Sequence, residues 1–531
     1  MEFIAHNLAP IMFAGLICFL LVGFPVAFSL GACGLFFAFI GIELNVLPEA
    51  LLQAVPLRIF GIMQNDTLLA IPFFTLMGLI LERSGMAEDL LDTIGQLFGP
   101  IRGGLALAVI FVGALLAATT GVVAASVISM GLISLPIMLR YGYDRRLAAG
   151  VIAASGTLAQ IIPPSLVLII IADQMGRSVG DMYKGAFLPG LMLTGFYAGY
   201  VILLAIFKPQ WVPAIPPEAR TLRDENGKSG VTSLLVLTGI CVAASMYVAK
   251  NMAALHTWWS GEAVERVALD EPIVVALCFG VAIIRGRLSF SLLKQAVTTT
   301  TKLSCFVVFI LVGATMFGLT FQGVDGPLWV EHLLTGLPGG QLGFLIVVNI
   351  MVFFLAFFLD FFELSFIVVP LLAPVAHKLG IDLIWFGVLL AVNMQTSFMH
   401  PPFGFALFYL RSVAPAKEYL DKVTKKMIAP VTTPQIYWGA IPFLVIQLMM
   451  VGLIIAFPGI VSSGLDKAEV YDLDKVRMEM EATMPDAAGA PEATDPTAGM
   501  EGASSAPGDA AAPAADDPLK ALQDSMANEK K

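Results

Sequence analysis

Long apolar segments alternate with short polar connections over most of the chain. About 20 consecutive apolar residues form a helix long enough to cross the hydrocarbon core of a bilayer, so such segments are candidate membrane helices. The twelve candidates lie at 3–21, 25–42, 66–81, 104–138, 147–175, 186–207, 231–249, 272–284, 303–321, 343–375, 384–410 and 434–458. The pattern predicts an all-α polytopic membrane protein.

Four of these segments are too long or too interrupted to be one continuous span. Segment 104–138 has a polar and glycine break at 118–121, and segment 343–375 has one at 360–363. We interpret both as re-entrant helical hairpins, because non-helical backbone at membrane depth is tolerated only inside protein or along a cavity. Segments 147–175 and 384–410 each contain a Pro-Pro pair and are predicted to be broken helices.

Composition supports the membrane interpretation and excludes several other classes. Of the 531 residues, 58% are hydrophobic and only 13% are charged, which argues against disordered, collagen-like and disulfide-rich proteins and against a soluble enzyme. The chain has no GxxxxGK[ST] phosphate loop, no HExxH motif and no basic patch of the kind that binds nucleic acid. The missing phosphate loop indicates that the chain is not itself an ATP-driven motor.

The net charge of −10 comes almost entirely from the C-terminal tail. Residues 466–531 contain 15 acidic and six basic residues. The tail is rich in Ala, Pro, Gly and Ser and is predicted to be disordered. It is either a docking tail or a solvated extension.

The distribution of Lys and Arg predicts the orientation. With both termini outside, the inner loops hold 18 of the 30 Lys and Arg residues, whereas the outer loops and the tail hold six each. Cytoplasmic loops carry the excess of positive charge, so both termini are predicted to be periplasmic. The rule does not distinguish a hairpin from a pair of spans.

The chain contains an internal repeat. Pro136, Gly142, Asp144 and the pair Pro163-Pro164 recur 238 residues later, as Pro374, Gly380, Asp382, Pro401 and Pro402. Each Gly-x-Asp turn follows a predicted hairpin and precedes a Pro-Pro break. The predicted orientation places the two turns on opposite sides of the membrane, so the repeats are inverted. Broken elements at equivalent places in two inverted repeats are typical of the substrate site of a secondary transporter.

The breaks supply the candidate binding groups. Two successive prolines open a helix and free carbonyl oxygens, which suit Na⁺ together with hydroxyl groups, while the N-termini of half-helices suit a carboxylate. Na⁺ is predicted to bind backbone carbonyls near Thr120, Gly156, Asp360 and Thr396. The candidate substrate and ion residues are Thr119, Thr120 and Gly121 at the first hairpin tip, then Ser155, Gly156, Thr157, Gln160, Pro163 and Pro164, and Asp360, Glu363, Asn393, Gln395, Thr396, Pro401 and Pro402.

Asp360 and Glu363 are the most conspicuous charges within an apolar segment. A bare carboxylate in hydrocarbon is costly, so by default it marks an ion or substrate pathway. The alternative is a carboxyl that caps a helix of the hairpin or remains protonated. His400 either titrates or makes a structural polar contact, and Asp173 is expected to face the membrane interface.

Several motifs together resemble those of a known family. They are Ser84-Gly-Met-Ala-Glu-Asp-Leu, Gly99-Pro-Ile-Arg-Gly-Gly-Leu, Arg140-Tyr-Gly-Tyr-Asp-Arg-Arg, Gly150-Val-Ile-Ala-Ala-Ser-Gly-Thr-Leu, Ile162-Pro-Pro-Ser, Phe366-Ile-Val-Val-Pro, Leu379-Gly-Ile-Asp and Pro401-Pro-Phe-Gly. Over residues 5–458 the chain resembles the large, DctM-like permease of tripartite ATP-independent periplasmic (TRAP) transporters. It departs from the family at the first hairpin tip, where Ala-Ala-Thr-Thr-Gly-Val-Val replaces a Gly-Ser-Ser-like run.

The resemblance implies an ion-transporter-superfamily fold that works as an elevator. It implies Na⁺-coupled uptake of an organic acid across the bacterial inner membrane, with no cofactor besides the coupling ion. It also implies a small four-span membrane subunit and a periplasmic substrate-binding protein as partners. The predicted domains are scaffold helices at 1–65, a first repeat at 66–207, a cytoplasmic loop with scaffold helices at 208–321, a second repeat at 322–460 and the tail at 461–531.

Three alternatives remain at this point. The chain could belong to another ion-coupled organic-anion transporter, or be a channel or an antiporter subunit of a larger complex. It could also be an intramembrane enzyme that uses Asp360 and Glu363 as paired carboxylates, although catalysis gains nothing from a duplication that faces both sides.

Overall fold

A computed structural model of the protein describes residues 6–120, 123–219, 239, 289–357, 359–421 and 424–465. The predicted spans at 231–249 (apart from residue 239) and 272–284, and the acidic tail from 466 onward, lie outside the described residues.

Helices make up most of the described chain, which confirms the predicted all-α class. In chain order they are α1 Leu8–Val22, α2 Val26–Glu43, α3 Ala54–Met63, α4 Ala70–Arg83, α5 Met86–Phe98, α6 Gly104–Thr120, α7 Val123–Arg140, α8 Arg145–Thr157, α9 Leu166–Gln174, α10 Val179–Phe207, α11 Phe290–Gly323, α12 Gly326–Thr335, α13 Gly340–Leu355, α14 Phe361–Lys378, α15 Leu383–Met399, α16 Phe405–Val413, α17 Thr433–Ala456 and α18 Gly459–Ser462. Short 3-10 turns lie at Glu49–Gln53, Asp66–Leu69, Leu158–Gln160, Pro209–Trp211 and Pro217–Ala219. Strands β1 Tyr419–Leu420 and β2 Met427–Ile428 form an antiparallel pair.

Within these ranges, six helices are long and apolar enough to cross a membrane, and up to eight spans result if each of two bent helix pairs counts as one. One bent pair joins α12 to α13 at an angle of 116°. Helices α3, α5 and α12 were not predicted. Helix α5 has Glu88 and Asp89 in its first turn, and its apolar residues lie on one face of the helix. Its sequence therefore contains no continuous apolar run.

The break in the second predicted hairpin lies a few residues earlier than expected. It was predicted at 360–363, but α13 ends at Leu355 and α14 already begins at Phe361. The reason is that Asp360 is the N-cap of α14 and Glu363 lies in its first turn, so the two carboxyls begin a helix instead of interrupting one.

Helix α2, the second helix of the chain, and the long helix α11 approach each other closely through small residues. A methyl group added at Gly34 would lie 2.8 Å from the Met316 backbone, and one added at Gly313 would lie 2.4 Å from the Ala27 carbonyl oxygen. The Thr320 hydroxyl donates a hydrogen bond to the Gly34 carbonyl oxygen at 2.9 Å. Glycines on facing surfaces let two membrane helices pack backbone to backbone, and α2 and α11 pack in this way.

Helices α8 and α15 occupy the centre of the molecule. Every residue of α8 from Leu147 to Thr157 is buried, and so is every residue of α15 from Phe386 to Met399. A helix that is buried on all sides needs neighbours all around it, so these two helices form the core of the fold.

Candidate functional site

The two copies of the Gly-x-Asp turn have the same backbone geometry. Gly142 and Gly380 have left-handed φ angles of 81° and 73°. In both copies the glycine N–H donates to a carbonyl in the last turn of the preceding helix, and the next N–H donates to the carbonyl one residue before it. Asp144 and Asp382 then cap α8 and α15 by accepting hydrogen bonds from backbone N–H groups. This shared geometry confirms the predicted duplication.

Both Pro-Pro pairs interrupt a helix, as predicted. In the first copy α8 ends at Thr157, a 3-10 turn covers Leu158–Gln160, and α9 begins at Leu166. In the second copy α15 ends at Met399 and α16 begins at Phe405. Both Pro-Pro peptide bonds are cis. Proline nitrogen carries no hydrogen, so the carbonyls that would bond to these positions in a continuous helix need other partners. One of them, the Gln160 carbonyl, accepts from the Ser165 hydroxyl at 2.9 Å.

Neutral polar side chains line the approach to both breaks, and all are 1% exposed or less. They are Ser155, Thr157, Gln160, Asn393, Gln395 and Thr396. Some are paired: the hydroxyls of Thr157 and Thr396 donate to helix carbonyls at 2.9 and 2.6 Å, and the Asn393 amide donates to the Asn349 carbonyl at 2.8 Å.

Gln160 and Gln395 differ from the other polar residues at the breaks. Among the described residues, neither the amide oxygen nor the amide nitrogen of either side chain has a hydrogen-bond partner. A buried polar group without a partner costs about 1–3 kcal/mol. Two such amides beside the two breaks are groups that can bind a ligand, an ion or water.

The fold brings the two repeats together at the breaks. The Leu158–Gln160 turn and helix α8 of the first repeat both pack against α15 of the second repeat. Packing is also reciprocal, since α9 contacts α14 and α16 contacts α7. The candidate residues of the two breaks therefore belong to elements in direct contact, as the duplication predicted.

Sequence reasoning missed Gln447, a fully buried residue of α17. Its amide nitrogen donates to the hydroxyls of Tyr197, at 2.8 Å, and Thr157, at 3.2 Å. It thereby ties the last residue of α8 to α10 and α17. Asn349 was missed as well. The available signal was the same for both: a single amide residue inside an otherwise apolar segment.

Asp360 and Glu363 form a capping box at the start of α14. The Asp360 carboxylate accepts from the Phe361 N–H, and Glu363 accepts from the Asp360 N–H at 2.9 Å. The structure thus shows the capping arrangement that the sequence left open as an alternative. Glu363 is 6% exposed and Asp360 is half-buried.

The remaining predicted residues have different surroundings. The backbone of α6 extends to Thr120, but the side chains of Thr119 and Thr120, and Gly121 itself, lie outside the described residues. The ring of His400 stacks on Phe357, with centroids 4.6 Å apart. Asp173 accepts a hydrogen bond from the Asn65 amide at 2.8 Å and is partly buried.

A separate cavity of about 550 Å³ lies between α4, α5 and α7. Its lining includes Arg83, Glu88 and Arg140 but neither Gln160 nor Gln395. In the part of the chain that the structure describes, no three His, Cys, Asp or Glu side chains group together as metal ligands.

A duplicated helical core with two interrupted helices in contact, in a chain with several membrane-spanning helices, defines the class: a membrane transporter subunit of the two-repeat type. The family model described as the DctM component of the tripartite ATP-independent periplasmic transporter matches residues 13–460. The chain belongs to this family and is a TRAP transporter large permease.

The chain is also similar to individual relatives and, in fold, to a solved structure. The chain is 28% identical to the C4-dicarboxylate TRAP transporter large permease of Rhodobacter capsulatus, over 75% of this chain and 89% of the relative. It is 26% identical to the isethionate TRAP transporter permease of Oleidesulfovibrio alaskensis, over 79% of this chain and 63% of the relative. The YdaH transporter of Alcanivorax borkumensis has a similar fold, with a TM-score of 0.50 at 14% identity, over 77% of this chain and 89% of that chain.

Proposed function

We propose that this permease imports an organic carboxylate together with Na⁺ across the inner membrane of a bacterium, by an elevator movement that carries the two repeats. A periplasmic binding protein delivers the substrate, and a small four-span subunit completes the membrane complex. Both termini are periplasmic in this proposal.

The observation that carries the proposal is the pair of unpartnered amides, Gln160 and Gln395, next to the two breaks. An amide donates hydrogen bonds to a carboxylate without neutralising it. A transporter needs such binding, because the substrate must also leave. C4-dicarboxylates and isethionate, named for two relatives, are both small organic anions.

The coupling ion is proposed to bind oxygen atoms near Thr120, Gly156, Asp360 and Thr396. Na⁺ at this place would offset the negative charge of a carboxylate within the membrane, where an isolated charge is costly. Loading of the ion and loading of the anion would then favour each other, which is the physical basis of symport.

The test is uptake of radiolabelled succinate into proteoliposomes that contain the permease and its small subunit, with the binding protein outside. Uptake should require both an inward Na⁺ gradient and the binding protein. If succinate gives no signal, a thermal-shift screen of the binding protein against organic acids supplies the probe.

The site is tested by Gln160→Leu and Gln395→Leu, which keep the approximate shape of the side chain. Each should reduce uptake about tenfold or more, because a hydrogen bond to a charged group contributes roughly 1.5–3 kcal/mol. Gln64→Leu, at an exposed position, is the matched control. Uptake without Na⁺, or site variants as active as the control, would contradict the proposal.

A further inference from the structure

The two ends of the segment between α16 and α17 are joined by hydrogen bonds. The Val431 N–H donates to the Pro415 carbonyl at 3.0 Å, and the Arg411 guanidinium donates to the Val431 carbonyl at 2.7 Å, which joins the two ends of the segment. Strands β1 and β2 pair between these ends. We refer to the described residues 414–421 and 424–432 as the surface hairpin.

The surface hairpin is attached to the end of α7. The Asp421 carboxylate accepts from the Arg140 guanidinium at 3.1 Å and from the backbone and hydroxyl of Thr424, both at 2.7 Å. Burial by itself would raise the pKa of Asp421, but the hydrogen bonds from Thr424 and Arg140 outweigh it and the pKa lies below its ordinary value. The carboxylate therefore stays ionised at neutral pH and holds the hairpin to the first repeat.

One face of the hairpin packs inward and the other is apolar but exposed. Successive side chains of a strand point to opposite faces. Tyr419 and Ile428 are a cross-strand pair on the inner face, where Ile428 is buried. Leu420 and Met427 are the opposite pair, and they are 57% and 61% exposed. Two large apolar residues thus project side by side from an ordered structure.

Positive charge surrounds this apolar pair. Lys417, Lys425 and Lys426 are exposed, and none forms an ion pair with a carboxylate in the described ranges. Glu418 is the exposed carboxylate in the same segment, since Asp421 is already paired with Arg140. The exposed charges of the described hairpin residues therefore sum to a positive value.

The hairpin lies next to the first residue of a membrane-span candidate. It leads directly into α17, a membrane-span candidate that begins at Thr433, and it follows α16, which ends at Val413. An exposed apolar pair with flanking lysines, next to the first residue of a membrane-span candidate, suits the headgroup region of a bilayer, where apolar side chains insert and Lys attracts anionic lipids.

We propose that the surface hairpin binds anionic phospholipid headgroups, with Leu420 and Met427 inserted into the membrane interface and Lys417, Lys425 and Lys426 contacting the phosphates. Through the Asp421–Arg140 pair, this contact holds the end of α7 at the membrane surface. The proposal is independent of the transported substrate and of Na⁺ coupling.

The test uses the full chain in lipid nanodiscs, with its native cysteines replaced by serine and a bimane label on Met427→Cys. A spin-labelled lipid quenches the label when the label reaches the interface. The nanodiscs contain phosphatidylcholine alone or phosphatidylcholine with phosphatidylglycerol. The same measurement is made with Lys417→Gln/Lys425→Gln/Lys426→Gln added, and with Lys294→Gln/Lys302→Gln as a control of exposed lysines elsewhere.

We expect phosphatidylglycerol to increase quenching about twofold or more, since each lysine near an anionic surface strengthens the contact roughly fivefold. The triple lysine variant should lose this response and the control variant should keep it. Quenching that is independent of phosphatidylglycerol, or a triple variant that still responds to it, would overturn the proposal and leave the exposed face to a protein partner. Since no transport is measured, the result does not depend on the proposed function.

Discussion

Gln447 and Tyr197 should be energetically coupled through the hydrogen bond between them, and this coupling energy can be measured. The variant Gln447→Met keeps the length of the side chain but removes its amide. It breaks the hydrogen bonds to Tyr197 and Thr157, at 2.8 and 3.2 Å. The bond to Thr157 reaches the last residue of α8, where the first broken helix is interrupted.

The expected magnitude follows from two opposing contributions. Each lost bond costs about 0.5–1.5 kcal/mol in soluble proteins, and about 0.6 kcal/mol on average between membrane helices. The Gln447 amide oxygen, however, has no partner among the described residues, and removing it relieves a penalty of about 1–3 kcal/mol. The free energy of unfolding of the single variant Gln447→Met can therefore be close to that of the native protein. The informative quantity is its coupling with Tyr197→Phe, which should be about 0.6–1.5 kcal/mol.

The assay is reversible unfolding by SDS in mixed micelles, applied to a double-mutant cycle of Gln447→Met and Tyr197→Phe. A second cycle with Tyr200→Phe is the control. The rings of Tyr197 and Tyr200 both lie 5.3 Å from the ring of Phe443, but only the Tyr197 hydroxyl accepts from Gln447 in the described structure. A coupling energy in the Tyr197 cycle no larger than in the Tyr200 cycle would refute the reasoning.

Two further predictions concern helix packing and the surface hairpin. Gly150→Ala would place a methyl group 2.1 Å from the Gly439 carbonyl oxygen, so the backbone must move and the free energy of unfolding should fall by about 1–3 kcal/mol. Gly195→Ala is the control, because nothing lies within 4 Å of a methyl group added there. Equal melting temperatures for the two variants would contradict this prediction. The pKa of Asp421 is lowered in the folded protein. The ionised carboxylate and its bond to Arg140 therefore add to the stability of the hairpin at any pH above the ordinary carboxyl pKa. This added stability is lost as the pH falls through the lowered pKa. Hydrogen exchange across 414–432 should therefore accelerate toward acidic pH in the native protein and stay pH-independent, after correction for intrinsic rates, in Asp421→Asn; identical profiles would exclude the ion pair as the cause.

Features that depend on local backbone chemistry were predictable from the sequence. Gly142 and Gly380 end helices because glycine adopts the left-handed conformation easily, and Asp144 begins one because its carboxylate bonds to free N–H groups. The prolines interrupt α8–α9 and α15–α16 for an equally local reason. Each feature involves residues a few positions apart, so a matching pattern at a fixed shift was enough to find the duplication.

Features that depend on partners distant in the chain were not predictable. Asp360 and Glu363 were expected to mark a pathway, but whether they face a pathway or cap a helix depends on where α14 begins. The unpredicted strand pair is linked to α7 by the Asp421–Arg140 contact, between residues 281 positions apart.

The sequence by itself determined the all-helical class, the multi-pass membrane character, the two repeats and the positions of their Pro-Pro breaks, because hydrophobic length, caps and prolines act within one or two helical turns. Only the tertiary structure decided which buried polar groups have hydrogen-bond partners. Thr157 finds Gln447 at a separation of 290 residues, whereas Gln160 and Gln395 find no described partner. Burial and hydrogen bonding are properties of the packed neighbourhood, and that neighbourhood exists only once the two repeats have packed against each other.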